Sequence, residues 1–231
     1  DLVQTRTKSL GWRSRYSQVE LYPVCVAGNS FSVKQVQRGE VEGTYGTGAT
    51  VWPASMVLIK YLEKNPEKIR GQRVVELGAG TGVASIAAAY LGAKEVICTD
   101  GIECVVELAG ANVRRAKELP ITITTKKYWW GDGSLVNACD VVLVSDCVLP
   151  KLYPIAPLVK ALKELMTSSS VAIVSYEHRH YQLFHPSEKF RELCLLAGLV
   201  VRPVPVEEQH DLYEVDDIEL WLVTRARSND S

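Results

Sequence analysis

A glycine-rich turn with the sequence ELGAGTG, at residues 76–82, constrains the fold of this chain more strongly than any other stretch. It follows the apolar residues 74–75 and precedes an alanine-rich run over residues 83–91, which indicates a buried strand turning into a helix. Glycine adopts positive φ angles and has no side chain, so a ligand can lie against the backbone and the free amides of the helix start. The turn therefore predicts a site for a nucleotide-type cofactor.

A carboxylate occurs at the end of the next apolar run. That run covers residues 95–99 and is followed by Asp100. A carboxylate at the tip of the neighbouring strand can accept hydrogen bonds from both hydroxyl groups of a ribose. Acids at strand ends are often only solvated, but the distance of Asp100 from the glycines favours a second contact to the same cofactor.

Two alternatives to this site follow from the same residues. The turn can simply pack a helix on a sheet, or it can bind a dinucleotide. The dinucleotide fingerprint G-x-G-x-x-G requires Gly or Ala at the position of Val83, so Val83 argues against the second alternative.

Length and composition suit one soluble α/β domain, with 231 residues of which 47% are hydrophobic and 23% charged. The formal net charge of -1 provides no overall field toward nucleic acid or an anionic membrane. Six cysteines occur singly, and no ligand spacing supports a metal at His178, His180 and His185. No signal peptide and no run of eighteen apolar residues occurs. We expect a cytoplasmic or nuclear monomer with no metal and no membrane or nucleic-acid partner.

The first part of the chain predicts a flexible segment and then a hairpin. Residues 1–18 are polar and lack periodicity. Partly alternating apolar residues at 19–25 and 31–37 flank a short turn, which is typical of a β-hairpin that caps a domain. We therefore divide the chain into a flexible segment (1–18), a single domain (19–226) made of the hairpin region (19–45) and the cofactor-binding core (46–226), and a tail (227–231).

Helix and strand patterns alternate through the core, which begins with a helix whose first turn contains Pro53. Such alternation predicts a doubly wound, mostly parallel sheet with helices on both faces. The last two strands have the pattern of a hairpin. We expect strands at 95–99, 121–128, 140–145, 171–175, 199–206 and 217–224, and helices at about 102–118, 154–166 and 187–197.

Ligands of an open α/β sheet bind beyond the carboxyl ends of its strands. The third core strand ends at Trp129 and Trp130, and one of these rings can lie against an adenine. The fourth ends at Asp146, whose carboxylate can orient an amine or accept its proton. The fifth ends at Tyr176 and Glu177, which we expect to face one rim of the site, with Glu177 attracting a cationic substrate.

Several motifs occur together in this order, and their combination is more specific than any one of them. They are VWPAS with Trp52, the ELGAGTG loop, TD ending in Asp100, WG at residues 130–131, SDCV at 145–148, SYEHR at 175–179 and HDLYEVDDIEL near the end. Together they resemble the class I, seven-strand methyltransferases that use S-adenosylmethionine (SAM). Within that class they resemble the protein-lysine methyltransferases of the methyltransferase-like family, which carry a D-x-x-Y motif.

The resemblance covers residues 19–224 and implies a seven-stranded Rossmann-like sheet with one antiparallel strand. It also implies a protein lysine as the acceptor and no metal. The implied SAM contacts are Trp52, Gly78, Ala79, Gly80, Asp100, Trp130 and Ser145, and Glu76 at the start of the loop belongs to the same pattern. Asp146 is the implied motif Asp, and we name Tyr176 and Glu177 as further candidate catalytic residues. A hydrogen-bond cluster at the strand end is the alternative for these two, and we expect Trp129 to close the sheet edge as part of the fold.

The chain departs from the D-x-x-Y pattern at Leu149, where the family has tyrosine. A phenol that could hydrogen-bond the substrate is therefore absent. Two alternatives to a lysine methyltransferase follow. One is a methyltransferase for another protein nitrogen, a small molecule or a nucleic acid, and the other is a SAM-binding interaction module without catalysis.

Overall fold

The computed structural model describes residues 11–36, 45–136, 139–149, 154–179, 181–182 and 184–226. The predicted tail, His180, residues 37–44 of the hairpin region and the first ten residues of the predicted flexible segment lie outside these ranges. Within the described ranges, no helix is both long enough and apolar enough to cross a membrane.

The N-terminal hairpin consists of β1 (Leu21–Val26) and β2 (Asn29–Lys34), which pair antiparallel in a sheet of their own. This confirms the predicted hairpin extension. Asn112 attaches the hairpin to the core, because its side-chain oxygen accepts a hydrogen bond from the Lys34 amide at 2.7 Å. The Asn112 amide group donates in turn to the carbonyl oxygens of Lys34 and Thr81.

The central sheet has seven strands in the order β5-β4-β3-β6-β7-β9-β8. All pairs are parallel except those of β9, which is antiparallel to both β7 and β8. The predicted sheet with one antiparallel strand is therefore confirmed. The strands are β3 (Arg73–Leu77), β4 (Glu95–Asp100), β5 (Ile123–Lys127), β6 (Val141–Ser145), β7 (Val171–Glu177), β8 (Leu199–Pro203) and β9 (Ile218–Arg225).

Helices cover both faces of this sheet. Side chains of α1, α2 and α3 pack with the hairpin in one apolar core, and those of α4 and α5 pack in a second core around Trp221. This is the doubly wound arrangement that the alternating pattern predicts. The helices are α1 (Pro53–Lys64), α2 (Val83–Tyr90), α3 (Glu103–Arg115), α4 (Ile155–Leu165) and α5 (Pro186–Leu196).

The order of the strands determines where a ligand can bind. Along the chain, β3, β4 and β5 extend the sheet in one direction, whereas β6 and β7 extend it in the other. The connections that follow β3 and β6 therefore diverge and leave a crevice beyond the carboxyl ends of these strands. The glycine turn follows β3, and Asp146 follows β6.

The prediction of a flexible segment at residues 1–18 is wrong for residues 11–18. Residues 11–15 form a helix, and the Trp12 ring packs against the Tyr213 ring with centroids 4.7 Å apart. Arg13 forms ion pairs with Glu177 and Asp217, each at 2.7 Å. Arg13 belongs to a polar stretch that resembles a solvated tail, but it binds residues 164 and 204 positions away in sequence.

Candidate active site

The glycine turn after β3 adopts backbone angles that favour glycine. The φ angle is 64° at Gly78, 54° at Gly80 and 76° at Gly82. A Cβ atom on Gly78 would lie 2.6 Å from the sulfur of Cys147, and one on Gly80 would lie 3.0 Å from the carbonyl oxygen of Gly48. Larger residues would therefore strain the turn and fill the space beside it.

Asp100 ends β4 and faces the turn, as predicted from its position. One carboxylate oxygen accepts a hydrogen bond from the Gly80 amide at 3.2 Å, and the other accepts one from the Ile102 amide at 3.1 Å. The Gly101 amide contributes a further backbone hydrogen bond, and two carboxylate oxygens with four lone pairs still keep acceptor capacity. Burial raises the pKa of Asp100 above its ordinary value.

Two cavities meet at the carboxyl ends of the strands, and both are bordered by Gly78 and Asp100. The aromatic cavity has a volume of about 360 Å³, and the polar cavity one of about 40 Å³. The aromatic cavity is also lined by Gly101, Ile102, Tyr128, Trp129, Trp130 and Pro157. The polar cavity is also lined by Trp52, Ser55, Ala79, Gly80, Ser145, Asp146, Cys147 and Leu149.

The two tryptophans after β5 both line the aromatic cavity. Trp130 is half-buried and lies close to the turn, since a Cβ atom on Gly78 would lie 3.3 Å from its ring. Trp129 is 62% exposed and lies beside Gly101. The prediction that Trp129 only closes the sheet edge is therefore wrong, because its ring lies in the cavity wall and buries little surface in the core.

Polar groups of three elements meet at the base of the polar cavity. The Ser145 hydroxyl at the end of β6 donates to the Ser55 hydroxyl of α1 at 3.0 Å and lies 3.3 Å from the Ser175 hydroxyl of β7. Trp52 begins α1, and its indole nitrogen donates to the Thr47 carbonyl at 2.9 Å. Ser145 and Trp52 thus lie where the prediction places them, and their contact with SAM stays a prediction.

Asp146 has an unusual backbone and a fixed carboxylate. Its φ angle is 55°, and its side chain is only 2% exposed. Arg179 donates to both of its oxygens, at 2.7 Å to Oδ1. The Glu177 amide also donates to Oδ1, at 3.3 Å. Asp146 borders the polar cavity, but most of its hydrogen-bonding capacity is used within the protein.

Glu177 lies one layer behind Asp146 rather than in the wall of either cavity. Its carboxylate pairs with Arg13 at 2.7 Å and with Arg179 at 3.5 Å. Burial raises the pKa of Glu177, and the Asp146 carboxylate adds to this effect against the two guanidinium groups. A direct role of Glu177 in attracting substrate stays a prediction, because Arg13 already binds its carboxylate.

The predicted pocket role of Tyr176 is wrong. Its side chain is 1% exposed and stacks on Trp221, with ring centroids 5.1 Å apart. Successive residues of a strand point to opposite faces of the sheet. Ser175 therefore faces α1 and the polar cavity, whereas Tyr176 faces the second core.

The structure also gives Glu76 a different role from the predicted cofactor contact. Its carboxylate is buried and accepts hydrogen bonds from the amide and the hydroxyl of Ser85, in the first turn of α2. Glu76 borders neither cavity. The acid ahead of the glycines thus satisfies one of the free amides in the first turn of α2, that of Ser85.

Sequence reasoning missed three residues of this region. Arg179, Ser55 and Cys147 all contact groups in the wall of the polar cavity. Arg179 lies in the SYEHR motif, two residues beyond β7. The only signal in the sequence is its place beyond the end of a strand, because 33 positions separate it from Asp146. In the described part of the chain, no group of three His, Cys, Asp or Glu residues is arranged to hold a metal ion.

The sheet order, the glycine turn and the strand-end Asp define a class I SAM-dependent methyltransferase. A solved structure of the 16S rRNA N2 G1207 methyltransferase from T. thermophilus, in complex with AdoMet and guanosine, matches with a TM-score of 0.56. The match covers 90% of this chain and 50% of that one, at 15% identity. At that identity the likeness shows the fold alone.

The sequence profile described as lysine methyltransferase matches residues 32–190, so the chain belongs to the lysine methyltransferase family. The protein N-terminal and lysine N-methyltransferase efm7 of Schizosaccharomyces pombe is 27% identical, over 72% of this chain and 70% of the relative. The protein N-lysine methyltransferase METTL21A of Danio rerio is 34% identical, over 58% of this chain and 63% of the relative. The predicted family is therefore confirmed.

Proposed function

We propose that this protein transfers the methyl group of SAM to the side-chain amine of a lysine in a protein substrate. The observation that carries the proposal is the pair of cavities joined at Gly78 and Asp100. An elongated cofactor with an apolar aromatic end and a polar end fits such a pair. The relatives named above act on protein lysines according to their names, which supports the choice of acceptor.

The residues present fit SAM. The turn is compact because Gly78 and Gly80 have positive φ angles and no side chains, and its backbone borders the polar cavity directly. Asp100 offers its remaining acceptor positions to ribose hydroxyls, and Trp130 offers an aromatic surface to the adenine. When bound, SAM supplies a methyl group that its sulfonium sulfur has already activated, and it leaves as a neutral thioether.

The protein then has three tasks at the polar cavity. It must hold the lysine amine in line with the methyl group, exclude water and allow the ammonium to lose its proton to solvent. Leu149 and Cys147 are buried apolar residues that exclude water. Asp146 supplies an oxygen toward which an amine N–H can point.

The test uses methyl-labelled SAM, the full chain and a cell extract, followed by hydrolysis and separation of the methylated amino acids. We expect label in methyl-lysine, and loss of that label with Asp100→Ala. Asp211→Ala is the matched control, because Asp211 is an exposed residue paired with Lys64 outside both cavities. Label in another acceptor contradicts the lysine assignment. Tight SAM binding without any transfer identifies a binding module instead.

A further inference from the structure

Five charged side chains form a row that leads from the polar cavity to the protein surface. Signs alternate along the row, from Asp146 through Arg179, Glu177 and Arg13 to Asp217. Only Asp146 borders the cavity. Arg179 is therefore the cation in direct contact with Asp146, the carboxylate that borders the polar cavity. The Arg179 side chain is 27% exposed.

Arg179 is itself fixed on several sides. It donates to both oxygens of Asp146 and to the backbone carbonyl of Glu177 at 3.2 Å. Its guanidinium lies 5.8 Å from the centroid of the Trp52 ring, within the range of a cation–π contact. A planar guanidinium with two parallel bonds determines the orientation of a carboxylate, which a single ammonium does not.

The geometry leaves Asp146 with few acceptor positions. Within the described residues, Oδ1 accepts from Arg179 and from the Glu177 amide, and Oδ2 accepts only from Arg179. A carboxylate oxygen has two lone pairs. Oδ2 therefore keeps one position for an N–H of the acceptor amine.

The charge of Asp146 poses a problem for methyl transfer. A lysine amine accepts a methyl group only in its neutral form, and the ordinary pKa of lysine is about 10.4. An unpaired carboxylate beside it would stabilise the ammonium and raise that pKa further. A carboxylate paired with a guanidinium offers the same oxygen with much less net negative charge.

We propose, on the basis of the proposed lysine methyltransferase function, that Arg179 is a positioning residue that orients Asp146 and offsets its charge, so that the acceptor amine is held without being kept protonated. Among the described residues, the other charged or titratable groups around this pair are Cys147, Tyr176, Glu177, Tyr181, Arg13 and Asp217, with Asp100 in the wall of the same cavity. Of these, Glu177 pairs with Arg179 at 3.5 Å and is itself paired with Arg13 at 2.7 Å.

The test is the pH profile of kcat for lysine methylation by the full chain, at saturating SAM and protein substrate, because this profile reports groups that titrate in the enzyme-substrate complex. With Arg179→Gln, we expect the rising limb to move to higher pH by roughly one unit, because the Asp146 carboxylate is then unpaired and stabilises the ammonium more strongly. With Arg179→Lys, which keeps the charge but not the paired bonds, we expect an unshifted limb. In that variant kcat falls roughly ten- to a hundredfold, whereas SAM affinity stays near that of the parent.

Two further measurements separate positioning from a merely structural role. In an Asp146→Asn background, Arg179→Gln should shift the limb by clearly less, because only the direct field of Arg179 on the amine is then lost and no carboxylate becomes unpaired. Arg73→Gln is the matched control, since Arg73 pairs with Asp140 at 3.2 Å at the opposite end of β6. It should leave the profile unchanged.

Two results overturn the inference when the parent methylates lysine. One is a rising limb that Arg179→Gln does not shift, and the other is a shift in the Asp146→Asn background as large as the shift in the parent background. A parent that methylates no lysine at any pH overturns the proposed function as well. The parent's own activity therefore distinguishes the two failures.

Discussion

The carboxylate of Glu76 accepts two hydrogen bonds from Ser85, one from the backbone amide at 2.8 Å and one from the hydroxyl at 2.5 Å. Both side chains are buried. Burial raises the pKa of Glu76 to about 7, although the two bonds from Ser85 oppose this rise. The acid ahead of the glycine turn therefore titrates near neutral pH and stabilises the start of α2.

This pair makes the stability of the protein depend on pH. The pKa of Glu76 in the folded protein lies above the ordinary 4.5, so the folded state binds the proton more tightly. Stability therefore falls as pH rises from about 4.5 through about 7. Relative to Glu76→Gln, the parent should lose up to about 3 kcal/mol over this window.

Urea unfolding of both proteins between pH 4.5 and 8 measures this difference. Glu95→Gln is the control, because Glu95 is an exposed residue of the neighbouring strand β4, and it should leave the slope unchanged. A Glu76→Gln variant with the same pH slope as the parent would show that Glu76 does not titrate in this range.

The two tryptophans of the aromatic cavity should respond differently to truncation. Trp129 is 62% exposed, so Trp129→Ala should leave the melting temperature nearly unchanged. It should weaken SAM binding by roughly fivefold, because an aromatic contact to an adenine is worth about 1 kcal/mol. Trp130→Ala should weaken binding and lower the melting temperature, since Trp130 also packs on the second core.

Calorimetric titration with SAM and thermal unfolding test both variants. Trp129→Phe serves as the conservative control and should keep most of the affinity. SAM affinity at the parent level in Trp129→Ala would remove Trp129 from the cofactor site.

The role of the glycine turn in SAM binding can be tested by replacing Gly78 with alanine, which adds a single Cβ atom. Gly78→Ala should abolish measurable SAM binding, because the new Cβ atom would lie 2.6 Å from the Cys147 sulfur at the junction of the cavities. Gly71→Ala is the matched control, with a similar φ angle of 73° but no atom within 4 Å of its Cβ position. Backbone strain is then alike, at about 1 to 2 kcal/mol for each variant. Equal SAM affinity in the two variants would contradict the site.

Leu149 offers a test of acceptor choice, because it is buried in the wall of the polar cavity where the family has tyrosine. Leu149→Tyr places a larger side chain in the wall of a cavity of about 40 Å³ and so narrows it. We therefore expect a lower share of the more highly methylated lysine products. Leu149→Phe separates volume from the hydroxyl group, since it adds a similar ring without the phenol. Mass spectrometry of the methylated lysines gives the distribution, and an unchanged distribution in both variants would place the amine elsewhere.

Local spacing was enough to predict much of the site. The glycine turn, Asp100, Ser145 and Asp146 lie at strand ends that the alternation of apolar runs reveals, and the strand order brings these ends together. The end of β8 was less accessible. It stops at Pro203 rather than at residue 206. The Val204 amide still donates to the Leu220 carbonyl at 2.8 Å, but Pro203 and Pro205 both lack the amide that a regular ladder needs.

Contacts between remote segments were not predictable from local pattern. Arg13 finds Glu177 only in the folded chain, so a polar stretch with no periodicity resembled a solvated tail. The Glu76 carboxylate can accept hydrogen bonds from a ligand or from the start of α2. Its actual partner, Ser85, follows from the packing of α2 on the sheet and not from the local sequence. Tyr176 and Glu177 are successive residues of β7. Because such residues point to opposite faces of a sheet, the strand pattern alone already argues against placing both at one rim of the site.

The most direct test of the SAM site is calorimetric titration of the parent, Asp100→Asn, Asp100→Ala and the Asp211→Ala control with SAM and with NAD. Loss of a charge-assisted contact to the ribose should weaken SAM binding by roughly ten- to a hundredfold in Asp100→Ala, with Asp100→Asn in between and Asp211→Ala unchanged. Equal SAM affinity in parent and Asp100→Ala, or tighter binding of NAD than of SAM by the parent, would contradict the assignment.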